Sequence, residues 1–208
     1  MCLSQKSSDR YPRHAFVPVY KMGSTNQLPP KDLPSLGLIN PTEPEKLHQS
    51  VLNSVSWRGA LSLEAYLRRE ALLASQECTK DGGLTTWALV DTSLSASERI
   101  VLCACETLRK KALVARDGKL QEVVSHGIGS VFCPPQHRGK GYAGRMMQEL
   151  GKVLRKWQTR NGEEVLFTVL YSDIGKVDRH SSVNSHHKTN IARNFMRLTV
   201  GSPSLPPM

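Results

Sequence analysis

The chain has 208 residues, 28 Lys and Arg against 18 Asp and Glu for a net charge of +10, and 39% hydrophobic residues at a mean hydropathy of −0.35. That length suits one globular domain with an appendage, and its apolar stretches fall far short of the ~20 residues that cross a membrane. The opening MCLSQKSSDRYPRHA has no apolar core before a small-residue cleavage site, so neither a transmembrane nor a secreted protein is expected, and the expected compartment is the cytoplasm.

Residues 1–40 are rich in Pro, Ser and Gly and sustain no period of 2 or 3.6, which predicts an irregular arm. Thr42, with Glu43, Pro44 and Glu45 after it, has the form of a helix start: a capping hydroxyl, Pro in the first turn, acids near the positive end of the dipole. A helix to about Trp57 is predicted. Gly59 interrupts it, and Ser62 caps a second helix in which Leu63, Tyr66, Leu67, Glu70, Ala71 and Ala74 recur at helical spacing, with Arg68 and Arg69 outward. Asp81-Gly82-Gly83 ends that region as a turn.

The period then becomes extended. Leu84–Asp91, Ile100–Leu108 and Ala112–Ala115 are short, apolar and partly β-branched, and predict three consecutive antiparallel strands, the last two divided by Arg109-Lys110-Lys111. Cys103 and Cys105 share one face of the second of these and read as small buried hydrophobes. Five cysteines without a C-x-x-C pair point to a reduced chain. After the turn Asp117-Gly118, Val123 to Cys133 reads as a fourth strand, whose Gly127 and Gly129 suggest a bulge or a close approach to the backbone.

Pro134 and Pro135 forbid further ladder bonding. Gly139, Lys140 and Gly141 lead into a helix whose apolar stripe is Ala143, Met146, Met147, Leu150, Val153, Leu154 and Trp157, opposite Arg145, Gln148, Lys152 and Arg155. Asn161-Gly162 ends it, and Val165 to Tyr171 is a fifth, fully apolar strand. Helices followed by strands, then strand, helix, strand, predict an α+β fold on a mixed sheet.

The chemistry concentrates in the loop before that last helix, QHRGKGYA from Gln136 to Ala143. Unpaired N–H groups at a helix start and the positive dipole end hold phosphate oxygens, and glycines let the backbone approach. Arg138, Lys140 and Arg145, with Lys152, Arg155, Lys156 and Arg160, face Glu149 as the local acid and make a positive patch for an anion. The loop lacks the third glycine of a dinucleotide fingerprint and the Gly-Lys-Ser/Thr ending of a triphosphate loop.

Gln136-x-x-Gly139-x-Gly141, preceded by a glycine-interrupted strand and followed by Ala143, resembles the coenzyme A pyrophosphate loop of the GCN5-related N-acetyltransferases (GNAT). WRGALSLEAYLRRE (57–70), TKDGG (79–83), CETLRKKALVA (105–115), SHGIGSVFCPPQHRGKGYAGRMM (125–147) and VLYSDIG (169–175) look more narrowly like the fungal lysine N-acetyltransferase-like branch. The resemblance covers about 42–176 and implies a GNAT-like fold, mostly antiparallel, with acetyl-coenzyme A (acetyl-CoA) as co-substrate. It implies the main chain of Gln136, Arg138, Gly139, Lys140, Gly141, Tyr142 and Ala143 on the pyrophosphate, and Val131, Phe132 and Cys133 beside the pantetheine arm. It further implies transfer of acetyl to a small-molecule amine such as lysine.

Direct attack of an amine on a thioester needs positioning and a base. His126, on the fourth strand, is one candidate, and a turn-proximal histidine without a catalytic part is the other reading. Glu106 is a further, weaker base candidate, and Tyr171 could give a proton to the leaving thiolate, although a tyrosine ending an apolar strand also reads as core or rim.

The resemblance ends near residue 176. The family continues there with a helix bearing a tyrosine and a further strand pair, whereas 177–208 carries no tyrosine, tryptophan or alternation. The expectation is a partial acetyltransferase domain at 41–176, lacking its C-terminal strands, and a disordered non-family tail at 177–208 from a misread gene model. A genuine short protein with a disordered tail is the rival reading, and reading the mature transcript across codons 170–185 separates the two. His180, His186 and His187 in that tail lack partners at fixed spacing, so no metal site is expected. A basic module binding nucleic acid or another anionic partner is the alternative function, yet it wants interleaved aromatics that are absent here.

Overall fold

The computed structural model describes residues 28–116, 118–159 and 165–170. Its elements are β1 (Leu36–Ile39), α1 (Glu43–Trp57), α2 (Leu63–Ala74), β2 (Leu84–Asp91), β3 (Cys103–Arg116), β4 (Lys119–Phe132), α3 (Tyr142–Leu154) and β5 (Val165–Leu170), with a short 3-10 turn at Pro135–His137. They form a five-stranded sheet in the order β1-β2-β3-β4-β5, antiparallel until the parallel β4–β5 pair. The fold is α+β on a mixed, mostly antiparallel sheet, as the sequence predicted. The expected missing strands, the tail and most of the arm lie outside the described residues.

Both N-terminal helices start where their caps predict. Thr42 closes a capping box in which its backbone N–H and hydroxyl donate to Glu45 Oε2 at 2.7 and 2.8 Å, and the Ser62 hydroxyl accepts from the Ala65 N–H. Arg99, from the loop after β2, donates to both oxygens of that buried Glu45 at 2.8 and 3.1 Å. Burial alone would raise the Glu45 pKa, but the bonds from Arg99 and Thr42 hold it below the ordinary carboxylate value.

Two sequence expectations about strands are corrected. Leu36–Ile39, inside the segment read as irregular, is a strand: it pairs with β2 from Leu36↔Asp91 to Ile39↔Ala88 and buries Leu36. Four residues are too few to show a period, and the neighbouring strand rather than propensity orders them. Ala112–Ala115 is not a separate strand, because β3 runs unbroken through Arg109-Lys110-Lys111 and β4 starts at Lys119. β2 accompanies β3 only as far as Leu84↔Leu108, so the outer hairpin is a two-stranded ribbon in solvent. Such a ribbon satisfies its backbone across the strands and tolerates charge, as the 3.0 Å Lys111–Glu122 pair shows.

α3 covers one face of the sheet. Tyr142, Met146, Leu150 and Leu154 pack at spacings of four against Leu36, Trp87, Leu89, Leu102, Cys103, Cys105 and Ile128. Trp157 stacks edge-on against Trp87 at 4.8 Å, and Trp87 Nε1 donates to Thr107 Oγ1 at 2.9 Å. Arg145, expected outward, instead donates to the Leu36 carbonyl at 3.1 Å and to Glu149 at 3.0 Å, tying α3 to β1. α1 and α2 lie over the other face, with Trp57 edge-on to Phe132 at 5.6 Å.

Candidate active site

The loop that leads into α3 has the backbone its glycines predicted. Gly139 (φ +74°) and Gly141 (φ +83°) are both left-handed, and Gly141 is the N-cap of α3 with no side chain to occupy the helix's first N–H groups. A Cβ on Gly139 would project into open space, while one on Gly141 would come within 2.7 Å of Lys31 Cδ. The surrounding packing holds this shape: His137 is buried with Nδ1 3.3 Å from the Leu102 carbonyl, and the Tyr142 hydroxyl donates to the Pro29 carbonyl. An open, positively polarised cradle of amides beside Lys31, Arg138 and Lys140 fits a diphosphate.

The residues assigned to a coenzyme divide accordingly. Gln136, Arg138, Gly139, Lys140 and Gly141 are exposed and Ala143 is half-buried, whereas the Tyr142 ring is core and leaves only its backbone to a ligand. Arg138 Nε donates to the Cys133 carbonyl at 3.0 Å, and its guanidinium lies 5.8 Å over the Phe132 ring. Phe132 is buried, while Val131 and Cys133 are half-buried at the end of β4. Within the basic patch, Arg145 and Lys152 both pair with Glu149, so its free positive field is smaller than the sequence suggested. Arg160 lies outside the described residues.

Just before this strand end, β3 and β4 change register between Ala104↔Phe132 and Glu106↔Gly129, so β4 carries an extra residue. Ser130 takes φ +51° there. The interruption suggested by Gly127 and Gly129 is thus a β-bulge one residue on, where the ladder is broken and backbone is released. A Cβ on Gly129 would meet nothing, which leaves the floor of the adjoining cleft open.

That cleft, about 1790 Å³, lies between the sheet and α1 and α2 and is lined by Trp57, Tyr66, Glu70, Glu106, Ser130 and Val131 among others. Ser130 Oγ donates to Glu106 Oε2 at 2.6 Å. Burial raises the Glu106 pKa and nearby Glu70 adds to this, against the Ser130 bond, so the carboxyl sits above the ordinary glutamate value. Tyr66 is buried, its hydroxyl pushed up to about 12 by burial and by Glu70. Arg69, expected outward, lies 4.8 Å over the Tyr66 ring and bonds Glu70 and the Trp57 carbonyl.

His126 stands elsewhere. It is fully buried on the α3 side of the sheet, Nε2 3.1 Å from the Trp157 carbonyl, and among the described residues its Nδ1 has no partner. Burial depresses its pKa and the bond to Trp157 opposes this. The alternation of a strand puts Glu106 and His126 on opposite faces, and only Glu106 meets the cleft. Tyr171 lies outside the described residues. Ser130, Tyr66 and Arg69 carried no sequence signal of a site, since each becomes notable only when the bulge and α2 bring it beside Glu106.

A lysine acetyltransferase from Yarrowia lipolytica is 29% identical over 140 residues, 66% of this chain and 34% of that protein. The likeness is thus to one fungal lysine acetyltransferase. An uncharacterised protein of Saccharomyces cerevisiae is 28% identical over 161 residues, 65% of this chain and 40% of its own length. The chain therefore spans between a third and two fifths of the length of these two curated relatives. A GCN5-related N-acetyltransferase from Kribbella flavida superposes with a TM-score of 0.45 at 20% identity, over 68% of this chain and 32% of that one. No family model matches the chain. Among the described residues, no helix is long and apolar enough to cross a membrane.

Proposed function

We propose that the chain is an acetyl-CoA-dependent N-acetyltransferase acting on a small amine such as lysine, with Glu106 as the general base. The observation that carries this is the continuity of three features: the left-handed Gly139/Gly141 cradle, the β4 strand end, and the bulge that opens onto Glu106. The amides from Arg138 to Ala143 would hold the pyrophosphate, and Val131 to Cys133 would flank the pantetheine arm. The coenzyme supplies an acetyl thioester. The protein's part is to position the amine and remove its proton.

A protonated amine does not attack, and the chain meets this with a carboxylate that burial raises above the ordinary glutamate value, making it a better proton acceptor. Glu106, with Glu70 beside it, draws an ammonium into the cleft. Glu106 Oε2, steadied by Ser130, takes one proton and frees the nitrogen lone pair. Holding amine and thioester together accounts for a large share of the acceleration. Tyr171 retains its candidacy as the acid for the departing thiolate.

Calorimetry of the 208-residue chain with acetyl-CoA, followed by an acetyl-transfer assay with lysine, tests this reading. Saturable binding abolished by Gly139→Val, with turnover lost in Glu106→Gln at unchanged coenzyme affinity, is expected. A folded chain that does not bind acetyl-CoA, or a Glu106→Gln variant with full turnover, overturns it.

A further inference from the structure

Adjoining the cleft, where α1 faces the sheet, lies a smaller cavity of about 30 Å³, lined by Gln49, Asn53, Thr86, Glu106 and Ser130 among others. This exceeds the ~10–15 Å³ needed by one water, and its lining is polar. Gln49 is 4% exposed, and its Nε2 donates to Asn53 Oδ1 at 2.6 Å, which turns Oε1 the other way. Among the described residues that oxygen has no partner. Buried acceptors are nearly always satisfied, by protein or by ordered water. Glu106 reaches the same cavity with Ser130 on Oε2, which leaves Oε1 to be solvated.

We propose that this cavity is a binding site for a single water molecule, which donates one hydrogen to Gln49 Oε1 and the other to Glu106, making Gln49 a positioning residue for that carboxylate. Ser130 and the water then fix Glu106 from two sides. The charged and titratable groups that line the cleft or the cavity with it include Lys46 of α1, Tyr66, Arg69 and Glu70 of α2, and Cys105 and Lys110 of β3. A hydrogen bond donated to a carboxylate favours its charged form, so the water opposes burial and Glu70. The consequence for turnover rests on Glu106 being the base, but the water site itself does not.

Two measurements test it, neither of which needs turnover. A crystal structure of the whole chain that resolves waters is expected to show one within hydrogen-bond distance of both Gln49 Oε1 and Glu106, and a dry cavity overturns the proposal. In a carboxyl-carbon NMR titration, Gln49→Met, which keeps the length but removes the acceptor, is expected to move the Glu106 pKa upward by about half a unit to one unit. A folded Gln49→Met chain in which Glu106 titrates as before overturns it as well. If instead Glu106→Gln retains turnover while both measurements come out as expected, the assignment of the base fails and the water site stands.

Discussion

Ser130 Oγ donates a 2.6 Å hydrogen bond to Glu106 Oε2, joining the left-handed residue of the β4 bulge to the carboxylate of the cleft. The bulge thus has two consequences: it breaks the ladder beside the strand end, and it aims a hydroxyl at the group best placed to accept a proton.

Removing that hydroxyl deprives the charged form of Glu106 of a donor. The pH profile of kcat/KM is expected to rise along a limb above the ordinary glutamate value of 4.5, and Ser130→Ala to move the limb further up by about one unit. Steady-state kinetics across pH check this, and a limb that stays put or moves down refutes it.

Gly139 needs a positive φ, and an added Cβ there meets no atom. Gly139→Ala is therefore expected to cost about 1–2 kcal/mol through backbone strain alone, read by denaturant unfolding. Acetyl-CoA affinity, read by calorimetry, is expected to fall about tenfold as the amides shift, an amount equal to about 1.4 kcal/mol.

Glu45 is buried against Arg99, so Arg99→Met leaves a carboxylate without its cation and is expected to destabilise the chain by about 3 kcal/mol. The folded pKa of Glu45 lies below its unfolded value of about 4.5. Its contribution is therefore present above that pH and is lost as pH falls through the lower folded pKa. Glu45→Gln is expected to be less stable at neutrality and to lose less on acidification, which urea unfolding at several pH values measures.

His126 follows the opposite chemistry to a similar outcome. Its folded pKa is depressed below 6.5, chiefly by burial, so between those two values the unfolded chain binds the extra proton and stability rises with pH. A His126→Gln variant is expected to show a flatter stability profile below pH 6.5, and an unchanged slope would refute the buried, neutral state.

Much of the fold was legible because it depends on local rules. Thr42 announces its helix by the Glu45 carboxylate three residues on that takes its N–H, Ser62 by a hydroxyl that accepts from the Ala65 N–H, and the α3 stripe repeats at the helical period. The Gly139–Gly141 loop was legible for the same reason, since only glycine adopts its dihedrals freely. Leu36–Ile39 and the outer hairpin were not, because four residues carry no period and a solvated ribbon needs no apolar face.

The candidate base was decided by tertiary structure. His126 and Glu106 both sit on strands of apolar context, and each looked able to titrate. Three-dimensional pairing puts Arg109 opposite His126 and Gly129 opposite Glu106, which sets one side chain under Trp157 and the other in the cleft. The sequence by itself determined the helix caps, the α3 stripe and the left-handed Gly139–Gly141 loop, because these follow from residues within a few positions of one another. The bulge, the face on which each titratable group emerges, and the burial that moves its pKa were decided only in the tertiary structure, because register, desolvation and partner charges arise between strands and helices distant in the chain.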